Sequence, residues 1–241
     1  MNRRDLLSSI AFAAVAAEGQ ESGTRESGAA PPSSLYVPKP QRVEDRRFLH
    51  DFMDEFAFAD LITASPSLRI THIPVLLDRA AGPYGTILGH ISRQNDQAKA
   101  FDGQHDAVIV FRGPHGYISP AWYQNRQAVP TWNFAVVHAT GKLRAVADPK
   151  ALHAFLAHLV DKFESYEGTD YDFSKLPDSF VNGMLTGIVG FEMPIELLEG
   201  KFKLGQDRSE ADRQGILSHL EKARGERSLY ELTASFYQRK G

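Results

Sequence analysis

The segment Gly113-Pro-His-Gly-Tyr-Ile-Ser-Pro-Ala-Trp-Tyr123 and the nearby Val129-Pro-Thr-Trp-Asn-Phe-Ala-Val-Val-His138 contain both tryptophans of the chain. Here aromatic rings, prolines and histidines are interspersed with runs typical of β-strands. Rings stack on flat ligands, prolines fix loop shapes, and histidine, serine and asparagine bond to heteroatoms. The two segments predict either a pocket for a planar molecule with polar edges or aromatic-rich hairpins that fill a barrel.

Further alternating runs on both sides of these segments predict β-strands at residues 59–63, 69–77, 86–91, 107–112, 133–145 and 188–198. Helical spacing predicts helices at 44–58, 96–101, 149–165, 176–187 and 208–224, the third beginning at Asp148-Pro149. Because helices and strands do not alternate strictly, a parallel sheet is disfavoured. The pattern predicts an α+β, mainly β fold: a six-stranded antiparallel barrel with peripheral helices, whose ligands lie at the rim or between two subunits.

Composition excludes several classes of function. The chain has 241 residues, no cysteine, a net charge of −3 and a pI near 6.3. The absence of cysteine excludes disulfides, thiolate catalysis and cysteine-bound metals. The acidic balance argues against DNA binding, which needs a dense positive surface. No apolar run reaches the roughly 20 residues that span a bilayer, so no stable membrane association is expected.

The first residues resemble an export signal. Met1-Asn-Arg-Arg-Asp-Leu-Leu7 places two arginines before an apolar run that ends at Val15-Ala16-Ala17. This pattern predicts a twin-arginine signal peptide at 1–17 and a periplasmic protein. A frayed segment of a cytoplasmic protein is the alternative. Residues 18–34 read as a disordered linker, 35–226 as the folded domain, and 227–241 as a polar tail that is mobile or domain-swapped.

One polar segment is a candidate phosphate site. Gly89-His-Ile-Ser-Arg-Gln-Asn95, with Lys99 beyond it, lies where a strand runs into a helix. Unpaired N–H groups at a helix start attract anions, and Arg93 and Lys99 can add charged hydrogen bonds. In the alternative interpretation Asn95 merely caps the helix and the charges are solvated.

A second charged segment, Lys201-Phe-Lys-Leu-Gly-Gln-Asp-Arg-Ser209, joins the last strand to a helix. It is either a contact for an anionic ligand or nucleic-acid backbone, or a solvated loop. The nine histidines predict no metal site: His153 and His158 point about 140° apart on their helix. The others are better explained as hydrogen-bonded core or pocket histidines.

Taken in order, these and related motifs resemble the PaiB-type "FMN-binding negative transcriptional regulator" family over roughly residues 35 to 225. The resemblance is carried by Leu35-Tyr-Val-Pro38, Thr71-His-Ile-Pro74, Gly89-His90 with Arg93 and Asn95, Gly113-Pro-His115, Tyr117-Ile-Ser-Pro120 with Trp122 and Tyr123, Val129-Pro-Thr-Trp-Asn133, and Lys201-Phe-Lys-Leu204 with Gln206 and Arg208. It implies a Greek-key split β-barrel related to the pyridoxamine 5′-phosphate oxidases, a homodimer, and FMN bound between subunits.

The resemblance also implies which residues hold FMN. Arg93 is expected to be the main phosphate ligand, while Trp122, Trp132 and Tyr117 provide flat walls for the ring. Asn133 is expected to make a polar contact. The full set of expected cofactor-binding residues is Thr71, His72, His90, Ser92, Arg93, Asn95, Lys99, Tyr117, Trp122, Trp132, Asn133, Lys203, Gln206 and Arg208.

This chain departs from the family's usual pattern, and the departures leave two functions open. Asp96-Gln97-Ala98 replaces a run that usually ends in tryptophan, so an aromatic ring is missing near the expected phosphate. The arginine pair at the start favours an exported flavin-dependent oxidoreductase of unknown substrate. The alternative is a cytoplasmic FMN-binding negative transcriptional regulator without turnover.

Overall fold

A curled antiparallel sheet organises the part of the chain that the computed structural model describes, residues 30–124, 126–222 and 227–239. Its strands run in the order β3-β2-β6-β7-β8-β5-β4, and β1 pairs with β8. Strand β3, at one end of this order, also approaches β5, near the other end, so the sheet curls into a split barrel. The strands are β1 (Arg42–Val43), β2 (Phe58–Thr63), β3 (Arg69–Pro74), β4 (Leu76–Asp78), β5 (Thr86–Ser92), β6 (Asp102–Ile118), β7 (Thr131–Val146) and β8 (Ile188–Lys203).

The predicted α+β split barrel is confirmed, but the sheet has eight strands in the described residues instead of six. Two of the eight are short. Strand β1 has two residues, and β4 is cut from the predicted 69–77 strand at Val75. There the Val75 N–H donates to the Ala57 carbonyl, 3.0 Å away, and therefore leaves the regular ladder. Alternation alone could not show this break, because side-chain pattern does not report where backbone bonds go.

Five helices surround the sheet in the described residues: α1 (Arg46–Glu55), α2 (Pro149–Glu167), α3 (Asp178–Leu185), α4 (Glu210–Lys222) and α5 (Arg227–Arg239). The start of α2 is as predicted, with the Asp148 carboxylate accepting from the Lys150 N–H. The predicted helix at 96–101 is a single 3-10 turn, Asp96–Ala100, capped by Asn95. None of the described helices is both long and apolar enough to cross a membrane.

Two apolar clusters fix the position of the site. The larger fills the barrel, where Ala135, Val137 and Ala139 point inward from β7. The smaller joins α2 to α3 through Phe155, Val181 and their neighbours. Helix α3 is thereby held beside the open seam of the barrel, next to β5.

The predicted mobile or domain-swapped tail is instead a helix, α5, packed on its own barrel. Leu229, Thr233 and Phe236 are buried. The Phe236 ring stacks on Phe202 at 5.7 Å, and the Tyr237 hydroxyl donates to the Leu204 carbonyl. A few apolar residues spaced three and four apart were enough to form a buried face.

The other end of the domain also differs from expectation. The Ser33 hydroxyl donates to Glu199, and Ser34 is hydrogen-bonded to His138 Nδ1 at 3.0 Å, so this part of the predicted linker is tied to the sheet. The predicted signal peptide, residues 1–17, lies outside the described residues.

Candidate functional site

A cavity of about 570 Å³ opens at the seam of the barrel. Three segments form it: strand β3, the end of β5 with the turn after it, and helix α3 with the turn that leads into β8. Its lining residues are Thr71, Ile73, Pro74, His90, Ile91, Ser92, Asn95, Gly183, Met184, Thr186, Gly187 and Ile188. Four of the expected cofactor-binding residues, Thr71, His90, Ser92 and Asn95, are therefore brought together.

The polar end of the cavity is organised by Gln97, a buried residue that was not among the expected ligands. Its Nε2 donates to the carbonyls of Leu61 and Arg69 and to the Thr63 hydroxyl. This fixes Gln97 Oε1 toward Thr71, whose hydroxyl donates to it at 2.5 Å. A polar residue two positions after a helix-capping asparagine was the only sequence signal for this role.

Asn95 is fixed by the same network. Its Nδ2 donates to Thr71 Oγ1 at 2.9 Å, and its Oδ1 accepts from the Gln97 N–H. Asn95 therefore caps the helix as predicted, but these bonds do not use all the hydrogen-bonding groups of its side chain. Because an amide has two N–H groups, one remains for a ligand. The Ser92 hydroxyl, which accepts from the Gln94 N–H, can likewise still donate.

Positive charge lies beside this polar end. Arg69 is two residues from Thr71 on the same face of β3, and Lys99 lies one turn beyond Asn95. Both side chains are exposed, and both approach the exposed carboxylate of Asp96, Lys99 at 2.7 Å and Arg69 at 3.8 Å. The hydrogen bond from Lys99 lowers the pKa of Asp96. Two cations against one carboxylate leave excess positive charge for an anionic ligand.

Arg93, the expected main phosphate ligand, holds the neighbouring turn. Its backbone N–H donates to Gly187, its Nε to Thr186 and its Nη2 to Ile188, at 2.9, 2.7 and 2.8 Å. The three acceptors are successive carbonyls of the turn between α3 and β8. Among the described residues Nη1 has no hydrogen-bond partner, so Arg93 can contact a phosphate only through that side of its guanidinium.

Among the described residues, His90 is the only ionisable side chain that lines the cavity. Burial lowers its pKa, so the ring is neutral near pH 7. Its ring lies edge-on to Phe155 at 5.9 Å. Its Nδ1 is buried without a hydrogen-bond partner among the described residues. A buried, unsatisfied ring nitrogen is costly unless something else pairs with it.

His72 does not share the cavity. Successive residues of a strand point to opposite faces, and Thr71 takes the inner one. His72 instead lies on the outer face, where its Nδ1 is 2.5 Å from Asp60 Oδ1. Arg112 pairs with the other oxygen of that carboxylate at 3.0 Å.

The aromatic hairpin is a second cluster, separate from the cavity. Tyr117 and Trp132 are opposite each other on β6 and β7, both exposed, with ring centroids 6.2 Å apart. Thr71 lies opposite Leu61 of β2, and Leu61 lies opposite Ile109 of β6. Along β6, the distance from Ile109 to Tyr117 is about 25 Å at roughly 3.3 Å per residue. In one chain this hairpin therefore does not meet the cavity.

Two expected ligands flank the hairpin. Asn133 is buried inside the barrel, and its Nδ2 has no hydrogen-bond partner in the described part of the chain. Lys203 donates from Nζ to the Thr131 hydroxyl. These two residues thus lie with the aromatic rings instead of with the polar end of the cavity.

Three further expected ligands make contacts with other parts of the fold: Trp122, Gln206 and Arg208. The Trp122 ring stacks on His219 at 5.0 Å. Gln206 uses both ends of its amide on the backbone at Pro40, Phe202 and Leu204. The Arg208 guanidinium lies 4.9 Å from the Tyr123 ring centroid. The 201–209 segment was predicted to be either a ligand contact or a solvated loop. The contacts of Gln206 and Arg208 show that it packs against the fold, and a ligand contact by this segment stays a prediction.

The polar end of the cavity fits the phosphate and ribityl chain of a flavin mononucleotide. Donors remain on Asn95, Ser92 and Arg93 Nη1, with excess positive charge beside them, and His90 Nδ1 awaits a partner. In the described residues no group of three or more metal-binding side chains meets. Fold and cavity together define a flavin-binding split barrel.

Comparison with known proteins agrees with this assignment as a flavin-binding split barrel. The model of a family described as "putative FMN-binding domain" matches residues 35–197, and the chain belongs to this PaiB-like family. The match confirms the predicted family and the predicted cofactor, FMN.

Two relatives and one solved structure extend the comparison. The chain is 31% identical to protease synthase and sporulation protein PAI 2 of Bacillus subtilis, over 78% of this chain and 89% of that protein. It is 32% identical to an Aspergillus fumigatus protein, over 65% and 77% of the two chains. The flavocytochrome Anf3 of Azotobacter vinelandii shares the fold, with a TM-score of 0.53 at 15% identity, covering 78% of this chain and 82% of that one.

Proposed function

We propose that the protein is an FMN-dependent oxidoreductase that acts on a small molecule. The observation that carries the proposal is the lining of the cavity. Beside the polar end, which suits the flavin's phosphate, the cavity has an apolar side at Gly183 and Met184 of α3, where we propose that a second molecule lies. A protein that only sensed flavin would not need a site for a second molecule.

The polar residues of the cavity and two of their neighbours then have tasks. Asn95 and Ser92 of the lining, with the neighbouring Arg93, hold the phosphate, and Gln97 fixes Thr71 and Asn95 through its hydrogen bonds to them. Neutral His90 can donate or accept a hydrogen bond at Nδ1. When bound, FMN supplies the electron transfer. The chain's contribution is to place the cofactor, exclude water from the apolar side and offer His90 as a proton carrier.

We further propose that FMN lies between two copies of the chain and that the protein is exported. The first proposal is supported by the separation of the cavity from the Tyr117–Trp132 hairpin, which a second copy could bring together. The second is supported by Arg3 and Arg4 before an apolar run. Cell fractionation checks it: a shortened protein should be periplasmic, and replacing both arginines by lysine should retain it in the cytoplasm.

The second candidate is the cytoplasmic regulator without turnover. Kinship with PAI 2, whose name refers to protease synthesis and sporulation, favours it. The net charge of −3 counts against direct DNA contact.

The two candidates differ in a redox assay. FMN-loaded protein is mixed anaerobically with NADH or NADPH, and the visible absorbance of the flavin is followed before and after addition of a quinone, menadione. An oxidoreductase should bleach and recover, faster than the same concentration of free FMN. If neither nicotinamide reduces the bound flavin, and the protein instead binds specific DNA with an affinity that falls steeply as salt rises, the regulator is favoured.

A further inference from the structure

The α3 side of the cavity is apolar. Gly183, Met184, Gly187 and Ile188 line it together with Thr186, and Ile73 and Pro74 face them from β3. This wall contributes no ionisable side chain. An ion held against this wall would lose part of its hydration without gaining a charged partner from the wall, which is unfavourable. The wall therefore favours an uncharged molecule.

Gly183 is an exposed residue of α3 that lines the cavity. A glycine inside a helix is less favourable than alanine. Packing does not require it here, since a Cβ built on Gly183 would meet no atom within 4 Å. Positive φ does not require it either, as Gly183 is not among the positive-φ glycines. Its missing side chain leaves this part of the cavity's opening unfilled.

Apolar surface continues around the opening. Met184 is 62% exposed and Phe180 is 55% exposed, one turn apart on α3. Their neighbours Val181 and Leu185 are buried against α2 and anchor the helix. Two large apolar side chains left exposed beside a cavity indicate a surface that a ligand covers.

The wall is also held in place before any ligand arrives. The three hydrogen bonds from Arg93 to residues 186, 187 and 188 tie the end of α3 to the end of β5. A subsite that is already formed costs less conformational entropy on binding.

We infer that the α3 wall is a subsite for an uncharged, mainly apolar small molecule, held between Gly183, Met184 and Ile73 beside the flavin. The inference rests on the proposed function, because it names the chemical class of FMN's reaction partner. It assigns Gly183 a role in specificity: its missing side chain admits the apolar body of the ligand.

The test variant is Gly183→Leu, which fills the space with four carbons. Asn182→Leu is the matched control, since Asn182 is exposed on the same helix and does not line the cavity. Gly183→Ala is a smaller step that should not lower stability, because alanine favours the helix. The probes are menadione, an uncharged quinone, and 1,4-naphthoquinone-2-sulfonate, a charged analogue of similar shape.

Equilibrium dialysis on the FMN-loaded protein measures the dissociation constants of both probes. The dissociation constant of FMN itself is measured by flavin fluorescence. We expect menadione to bind at least about tenfold more tightly than the sulfonate, and Gly183→Leu to weaken menadione by about tenfold or more, roughly 1.4 kcal/mol. In Gly183→Leu the FMN affinity should change less than about twofold. The menadione affinity of Gly183→Ala should lie between those of the wild type and Gly183→Leu. Asn182→Leu should change neither.

Three outcomes would overturn the inference: no menadione binding by FMN-loaded protein, equal binding of menadione to Gly183→Leu and wild type, or equal loss of FMN and menadione in Gly183→Leu. The last would assign the α3 wall to the flavin itself. Failure of the wild type to bind FMN would instead contradict the proposed function, so the two failures are distinguishable.

Discussion

Arg93 is not among the residues that line the cavity, but its guanidinium is bonded to two that are, Thr186 and Ile188. Two of its nitrogens hold the carbonyls of Thr186 and Ile188, and Nη1 remains. A charged hydrogen bond from Nη1 to a phosphate contributes about 1.5–3 kcal/mol, or roughly ten- to a hundredfold in affinity. Loss of the two carbonyl bonds would instead loosen the cavity wall for any ligand.

Arg93→Ala separates these roles. We expect FMN affinity, measured by quenching of flavin fluorescence, to fall about ten- to a hundredfold. Riboflavin, which lacks the phosphate, should lose much less. Arg144→Ala is the control, because Arg144 is an exposed arginine whose side chain, unlike that of Arg93, donates to no lining residue in the described part of the chain. Equal losses for FMN and riboflavin would leave Arg93 only its role as a clamp on the α3–β8 turn.

The residues that form the cavity were only partly predictable. Thr71, Ser92 and Asn95 could be named because their motifs are contiguous and polar. Gly183 and Met184 could not, since nothing in Asp178-Ser-Phe-Val-Asn-Gly-Met-Leu185 marks a ligand site. Gly183 and Met184 are about ninety residues from Asn95 in sequence, and they reach the cavity because α3 packs on α2. Tertiary packing of this kind leaves no local signal in the sequence.

At the scale of elements, strongly patterned segments formed as expected and weakly patterned ones did not. Asp148-Pro149 starts α2 because a capping carboxylate and a fixed φ act locally. The break at Val75 and the formation of α5 depend on partners elsewhere, Ala57 in one case and Phe202 in the other. Local sequence therefore predicted the elements whose causes are local.

Helix α5 should contribute to stability as part of the barrel core. Phe236 is buried and stacks on Phe202. Phe236→Ala should lower the free energy of unfolding by about 3–5 kcal/mol, as is usual for truncation of a buried phenylalanine. Gln238→Ala, on the exposed side of α5, should change it by less than about 0.5 kcal/mol. Urea unfolding measures both, and equal stabilities for the two variants would mean that the helix detaches readily.

For the whole molecule, the outer face of the sheet is the part that a single chain leaves unpaired. Phe58 is 68% exposed and Ile70 is 54% exposed, on neighbouring strands β2 and β3. Tyr117 and Trp132 expose their rings further along the same face. Apolar groups exposed on a sheet face indicate an interface. The cavity has no aromatic ring among its lining residues, so under the proposed shared site the rings would come from a second copy.

A shared site makes a prediction that a site within one chain does not. Arg93→Ala chains lack an intact phosphate contact, and Trp132→Ala chains lack an intact ring wall, so each alone should bind FMN weakly. Co-expressed with two different tags and purified through both, the mixed dimer contains one site with both parts intact. We expect it to bind FMN with wild-type affinity at half the wild-type stoichiometry, and light scattering to give about twice the chain mass. Because a site built within one chain would carry one defect in every copy, absence of such restoration, or a monomer that binds FMN, would contradict the shared site.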